Sequence, residues 1–114
     1  MMKGKVVLVP FPFDDLSTSK VRPTVCLTDP VGPHRHVIMA FISSRMSIDQ
    51  LETDMILNSG HTDFAMTGLL VTSTLRLHRM MTVTTALIRR ELGELSPQMQ
   101  DEVANKLRKL FGLA

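Results

Sequence analysis

The chain has no tryptophan and no tyrosine, and only five phenylalanines among its 114 residues. Stacking of nucleobases on an aromatic platform would therefore rest on phenylalanine. A single cysteine, Cys26, excludes an internal disulfide and a CxxC metal or redox pair. It agrees with a reducing compartment. No apolar run approaches the ~20 residues of a membrane-spanning helix. Met1-Met2-Lys3-Gly4 runs straight into Val6–Pro10, too short for the apolar core of a secretory leader. A cytoplasmic protein with no membrane partner is expected. There is no repeat, low-complexity tract or dividing linker, so residues 1–114 are expected to form one domain. The formal net charge of +2 permits a polyanionic partner without demanding one.

What is present is apolar sequence in short runs. At 44% apolar residues the chain can bury a core, and nine methionines suit irregular packing or an adaptable interface. Lys5–Arg45 holds the main pattern, apolar runs broken by polar loops. Val6–Val9 reads as a central strand, and Pro10 and Pro12 are expected to end its regular pairing. Phe11 and Phe13 flank Pro12, one ring directed to the core. Asp14–Lys20 reads as a long hairpin arm. Arg22-Pro23 is expected to open the next strand, which continues through Thr28. Asp29–Pro33 signals a turn. His36–Ile42 is apolar enough to predict a strand covered on both faces.

The middle carries weaker signals. Leu51–Leu57 predicts a strand with Glu52 and Asp54 facing outward, Asn58–Asp63 a loop, and Leu69–Leu75 a strand whose second half is rich in hydroxyls. A further strand is expected around Ala86–Ile88. The last segment is the clearest helix. Ser96 suits the N-cap and Pro97 the first helical position. Asp101 and Glu102 fall early, and Lys106, Arg108 and Lys109 late. Met99, Val103, Leu107, Leu110 and Phe111 make one apolar stripe, and Gly112 is the expected stop. The economical architecture is a mostly β protein, one helix packed against a strongly curved sheet.

Two polar groups stand where apolar runs begin or end. Arg22 lies at the mouth of the second run and Ser43 at the exit of the third; strand pairing that joined them would let them hold a phosphate. A guanidinium matches two phosphate oxygens and keeps its charge at any working pH. The plainer reading of Arg22 is a solvated strand end pairing Asp14 or Asp15. The plainer reading of Ser43 or Ser44 is a hydroxyl that satisfies a turn. Lys20, Arg22, Arg45, Arg76 and Arg79 form a scattered basic set able to follow the phosphates of a single strand; ordinary surface charge is the rival. His34 and His36 share a face but have no third ligand at a convincing spacing, so no metal site is expected. His78, two residues after Arg76, is the histidine closest to this set, with a structural role as the plainer reading. The absence of GxSxG argues against a Ser–His–Asp hydrolase.

In their order, VVLVPFPF, LSTSKVRP, AFISSR, the later GLLVTSTLR and the closing LSPQMQDEV…LRKLFGL resemble the PemK/MazF-type toxins of toxin–antitoxin pairs, across nearly the whole chain. The resemblance implies an SH3-like barrel, a homodimer, and a metal-independent, sequence-selective endoribonuclease acting on single-stranded RNA without a cofactor. It implies a co-encoded antitoxin whose acidic tail blocks the RNA groove, with DNA contacted only through that complex. By position it assigns Arg22 and Ser43 to catalysis and Ser73, Thr74 and Arg76 to substrate binding; Lys20 and Arg45 of the basic set and the neighbouring hydroxyl of Ser44 complete the expected substrate-binding residues. Ser73 replaces a carboxylate found in some members, and Val71 replaces an arginine. The rival expectations are a barrel of the same fold that binds RNA or antitoxin without cutting, and one that poisons DNA gyrase through its C-terminal helix.

Overall fold

A computed structural model describes residues 1–11, 20–45 and 49–114. Of the expected arm over Asp14–Lys20, residues 14–19 lie outside the described residues, with Pro12, Phe13 and residues 46–48, while Lys20 already belongs to a strand. The strands are β1 (Lys5–Phe11), β2 (Lys20–Cys26), β3 (His36–Ser43), β4 (Asp54–Leu57), β5 (Ser73–Thr84) and β6 (Arg90–Glu94), followed by helix α1 (Pro97–Phe111). They form one curved antiparallel sheet in the order β4-β5-β3-β2-β1-β6. This is the mostly β half-barrel with a C-terminal helix that the sequence predicts.

The sheet carries an apolar cluster on each face. On the helix side, Val6, Val25, Ala40, Ile42, Leu75 and Leu77 pack with Met99 and Val103 of α1. On the opposite side, Val7, Val9, Cys26, Val37, Met39 and Val83 form a second cluster. The two sets alternate along β1, β2 and β3, as the two-residue period of a strand requires. Burial presses the Cys26 thiol pKa up to about 11, with the Glu91 charge adding to the effect.

Several expectations are corrected. Pro10 does not end pairing, since β1 runs on to Phe11 and Pro10 sits opposite Val21. The Leu8 carbonyl accepts the Arg89 N–H on the β6 side, so by alternation the Pro10 nitrogen faces that same side, past the last β1–β6 pair at Leu8–Arg90. Pro23 likewise lies inside β2 and not at its start. Its nitrogen faces β3, where pairing begins one residue later at Thr24–Phe41. β3 is not covered throughout, because His36 and Ile38 are exposed in its first half. β4 spans only Asp54–Leu57, β5 starts at Ser73, and Thr85–Leu87 is a short 3-10 turn that precedes β6.

Helix α1 is as expected at both ends. The Met99 N–H donates to Ser96 Oγ (3.2 Å), and Gly112 adopts a left-handed φ of 67°. Arg108 and Lys109 occupy its last turn, but no acid occupies the first, because Asp101 and Glu102 lie a turn too late. Phe111 is exposed and drops out of the predicted stripe. Lys106 and Lys109 reach Glu52, through its carbonyl and carboxylate at 3.0 Å each, which ties the helix to the turn before β4.

Candidate functional site

The β2–β3 pairing sets Thr24 opposite Phe41. Continuing the same register by two residues sets Arg22 opposite Ser43, just past the end of the ladder. On the other edge of β3, Ser43 pairs with Thr74 and Phe41 with Arg76, and Arg76 in turn pairs with Asp54 of β4. Directly opposed residues share a face. Arg22, Ser43, Thr74, Arg76 and Asp54 therefore stand on the face that carries Met39 and Cys26 further along. That face is apolar at one end and polar at the other.

Between Ala40 and Phe41 the β3–β5 register slips, and β5 takes up residues 77–79 as a bulge. The bulge brings Arg79 back over the sheet, with its guanidinium carbon 5.5 Å from the centre of the Phe41 ring. His78 stands at its apex. Partial burial, then the positive charge of Arg76, holds its pKa below the ordinary histidine value of 6.5, with Asp54 pulling the other way and Arg79 adding to the depression.

Arg22, Phe41, Ser43, Arg76 and Arg79 border an open cleft of about 550 Å³. Its cationic lining is Arg22, Arg45, Arg76 and Arg79; its hydroxyls are Ser43, Ser44 and Ser73; none of the described residues lining it is acidic. A smaller recess beside it shares Ser43, Arg45 and Arg76 and adds Thr74, Asp49, Gln50 and Asp54. Of the residues picked from the sequence, Arg22, Ser43, Ser44, Arg45, Ser73 and Arg76 come together in the cleft, with Arg79 from the wider basic set. Thr74 is buried and reaches only the recess. Lys20 is exposed at the start of β2 and does not line the cleft.

The hydrogen bonds define what each group has left to offer. Ser43 Oγ accepts the Arg45 N–H at 3.1 Å, so its own proton remains to be donated. Ser73 Oγ donates to the Val71 carbonyl at 2.9 Å. Arg76 Nε donates to Asp54 Oδ1 at 3.3 Å and its Nη2 to the Asp49 carbonyl at 3.4 Å, using two of its five N–H donors. Asp54 is the residue that sequence reasoning missed. Placed on the outer face by alternation, its side chain is instead 2% exposed, and its second oxygen accepts the Leu51 N–H at 2.9 Å. The available signal was an acid beginning a short apolar run, and its arginine partner lies 22 residues away. His34 and His36 are exposed with ring centres 6.0 Å apart, and among the described residues no three His, Cys, Asp or Glu side chains cluster as a metal site.

A cleft walled by guanidinium groups and hydroxyls at the open end of a curved antiparallel sheet is equipped to take an extended polyanion. The family model for the PemK-like, MazF-like toxins of type II toxin–antitoxin systems matches residues 2–111, and the chain belongs to that family. Solved structures share its fold. The Mycobacterium tuberculosis toxin MazF-mt6 is 23% identical, superposes with a TM-score of 0.69, and covers 95% of this chain and 98% of its own. An endoribonuclease solved in complex with its cognate antitoxin from a mycobacterial species is 18% identical, with a TM-score of 0.68 over 100% of this chain and 97% of that one. A further mycobacterial endoribonuclease is 14% identical, with a TM-score of 0.70 over 99% and 92% of the two chains. No curated protein matches in sequence. Among the described residues no helix is long and apolar enough to cross a membrane.

Proposed function

We propose that this chain is a sequence-selective endoribonuclease toxin that cuts single-stranded RNA in the cytoplasm without a metal, acts as a homodimer, and is silenced by a co-encoded antitoxin. The observation that carries this reading is the convergence of four arginines and the Ser43 hydroxyl in one cleft free of acidic lining among its described residues. Family membership and the fold shared with two endoribonucleases, one bound to its antitoxin, support it.

The chemistry asks for three things. The ribose 2′-oxygen must lose its proton as it attacks phosphorus, charge must be stabilised on the pentacoordinate phosphate, and the leaving 5′-oxygen must gain a proton. The products are a 2′,3′-cyclic phosphate and a free 5′-hydroxyl. Arg22 supplies the second requirement, its fork spanning two phosphate oxygens. Ser43 donates to the scissile phosphate with the proton that its Arg45 contact leaves available. Ser44, Arg45 and Arg76 hold neighbouring phosphates, and Ser73 and Thr74 stand behind them. Asp54 is badly placed to accept the 2′ proton, because its side chain is buried and does not line the cleft.

The test is purified protein with mixed-sequence RNA in excess EDTA, followed by mapping of the new 5′ ends. Ends clustered at one short sequence, reduced about 10²–10³-fold by Arg22→Ala in a folded protein, are expected. A folded protein that cuts nothing overturns the ribonuclease reading, whether it binds RNA without cutting it or arrests growth through another target.

A further inference from the structure

Arg76 is a cleft arginine whose cross-strand partner is a carboxylate. Asp54 lies directly opposite it in the β4–β5 ladder. The two oxygens of Asp54 divide the work, Oδ2 accepting the Leu51 N–H and Oδ1 the Arg76 Nε–H. The Asp49 carbonyl takes one Nη2 proton, so the guanidinium is held along one edge by the segment leading into β4. Its side chain remains 22% exposed, against 2% for Asp54, and it borders both the cleft and the recess. An exposed arginine on a strand would sample many rotamers and lose that entropy on meeting a phosphate. An arginine clamped from behind by a buried carboxylate has lost it already.

We infer that Asp54 is a positioning residue. Through its contact with Nε it presents the Arg76 guanidinium to a phosphate of the bound single strand. The inference rests on the proposed function and extends it to a residue that does not line the main cleft. A buried carboxylate could merely stabilise the sheet, so the experiment must separate positioning from folding.

The measurement is a double-mutant cycle on the affinity for a single-stranded RNA blocked against cleavage by 2′-O-methyl groups, read by fluorescence anisotropy, with melting temperatures taken in parallel. Arg76→Ala and Asp54→Asn are each expected to weaken binding about tenfold, while the double variant binds no more weakly than Arg76→Ala alone. Additive losses overturn the inference, since Asp54 would then act without Arg76. Should Asp54→Asn fail to fold, Arg76→Lys serves. It keeps the charge but cannot reproduce the Nε contact, and a loss close to that of Arg76→Ala is expected. Binding by Arg76→Lys equal to that of the unsubstituted protein overturns the inference. An unsubstituted protein that neither binds nor cuts RNA takes down the functional reading and the inference with it. One that binds, with an additive cycle, takes down the inference alone.

Discussion

His78 gathers the electrostatics of the site into one measurable group. Partial burial and the charges of Arg76 and Arg79 favour its neutral ring, and Asp54 favours the charged one. In an NMR titration its midpoint should fall below the ordinary 6.5 and move upward in Arg76→Ala; a midpoint at or above the ordinary value would contradict the geometry. The consequence for stability has a definite sign. A folded-state pKa below the unfolded one means that the unfolded chain takes up its proton first as pH falls. Whatever His78 contributes is therefore complete above about pH 6.5 and is lost as pH falls through its folded-state midpoint. At Ser43 the plainer reading leaves room for the proposed one. Its oxygen closes a turn by accepting the Arg45 N–H, as the plainer reading requires, and its own proton is left to donate.

The turn at Ala65–Thr67 lies close against β6. A methyl group added at Gly93 would collide with the Met66 carbonyl and the Thr67 backbone, and one at Gly68 with the Leu92 carbonyl. Backbone atoms cannot swing aside as side chains can, so Gly93→Ala should cost about 1–3 kcal/mol. Urea unfolding would show this as a lower midpoint at unchanged slope, and an unshifted midpoint would refute the contact. No local pattern announces that glycine. Helix α1 was legible because its signals are local: a capping serine, a proline beside it, and apolar residues at helical spacing. The cores of β1, β2 and β3 were legible as apolar runs. Pro10 and Pro23 misled because a proline's tolerance depends on whether a neighbouring strand still runs alongside. The full length of β5 was hidden by its bulge, which resets the alternation after Arg76. Asp54 was hidden because its inward turn depends on an arginine from another strand. Of the cleft residues, Arg22, Ser43, Ser73 and Arg76 were readable through the family resemblance and Arg45 and Arg79 through the scattered basic set, while the register that assembles them was not.

At the scale of the whole molecule, charge is arranged more sharply than its total suggests. A net charge of +2 is modest, yet four arginines converge on one cleft. Single-stranded RNA binding should therefore weaken with salt as though three or four phosphates were neutralised, a slope of about −2 to −3 in log affinity against log salt concentration. Arg45→Ala should reduce that slope by about 0.7. A slope near zero would mean that the arginines do not meet the backbone. The placement of the cleft also has a mechanical side. β3 gives Ala40 and Ile42 to one apolar cluster and Val37 and Met39 to the other, so it is clamped from above and below like a plank between two jaws. Ser43 is its last paired residue, and Ser44 and Arg45 hang beyond it, exposed. The cleft thus has a wall braced on both faces of the sheet and an edge, Ser44 and Arg45, that lies past the last strand pair. On the proposed function, a strand of RNA laid in it would take its register from that braced wall, as a key takes its depth from a shoulder.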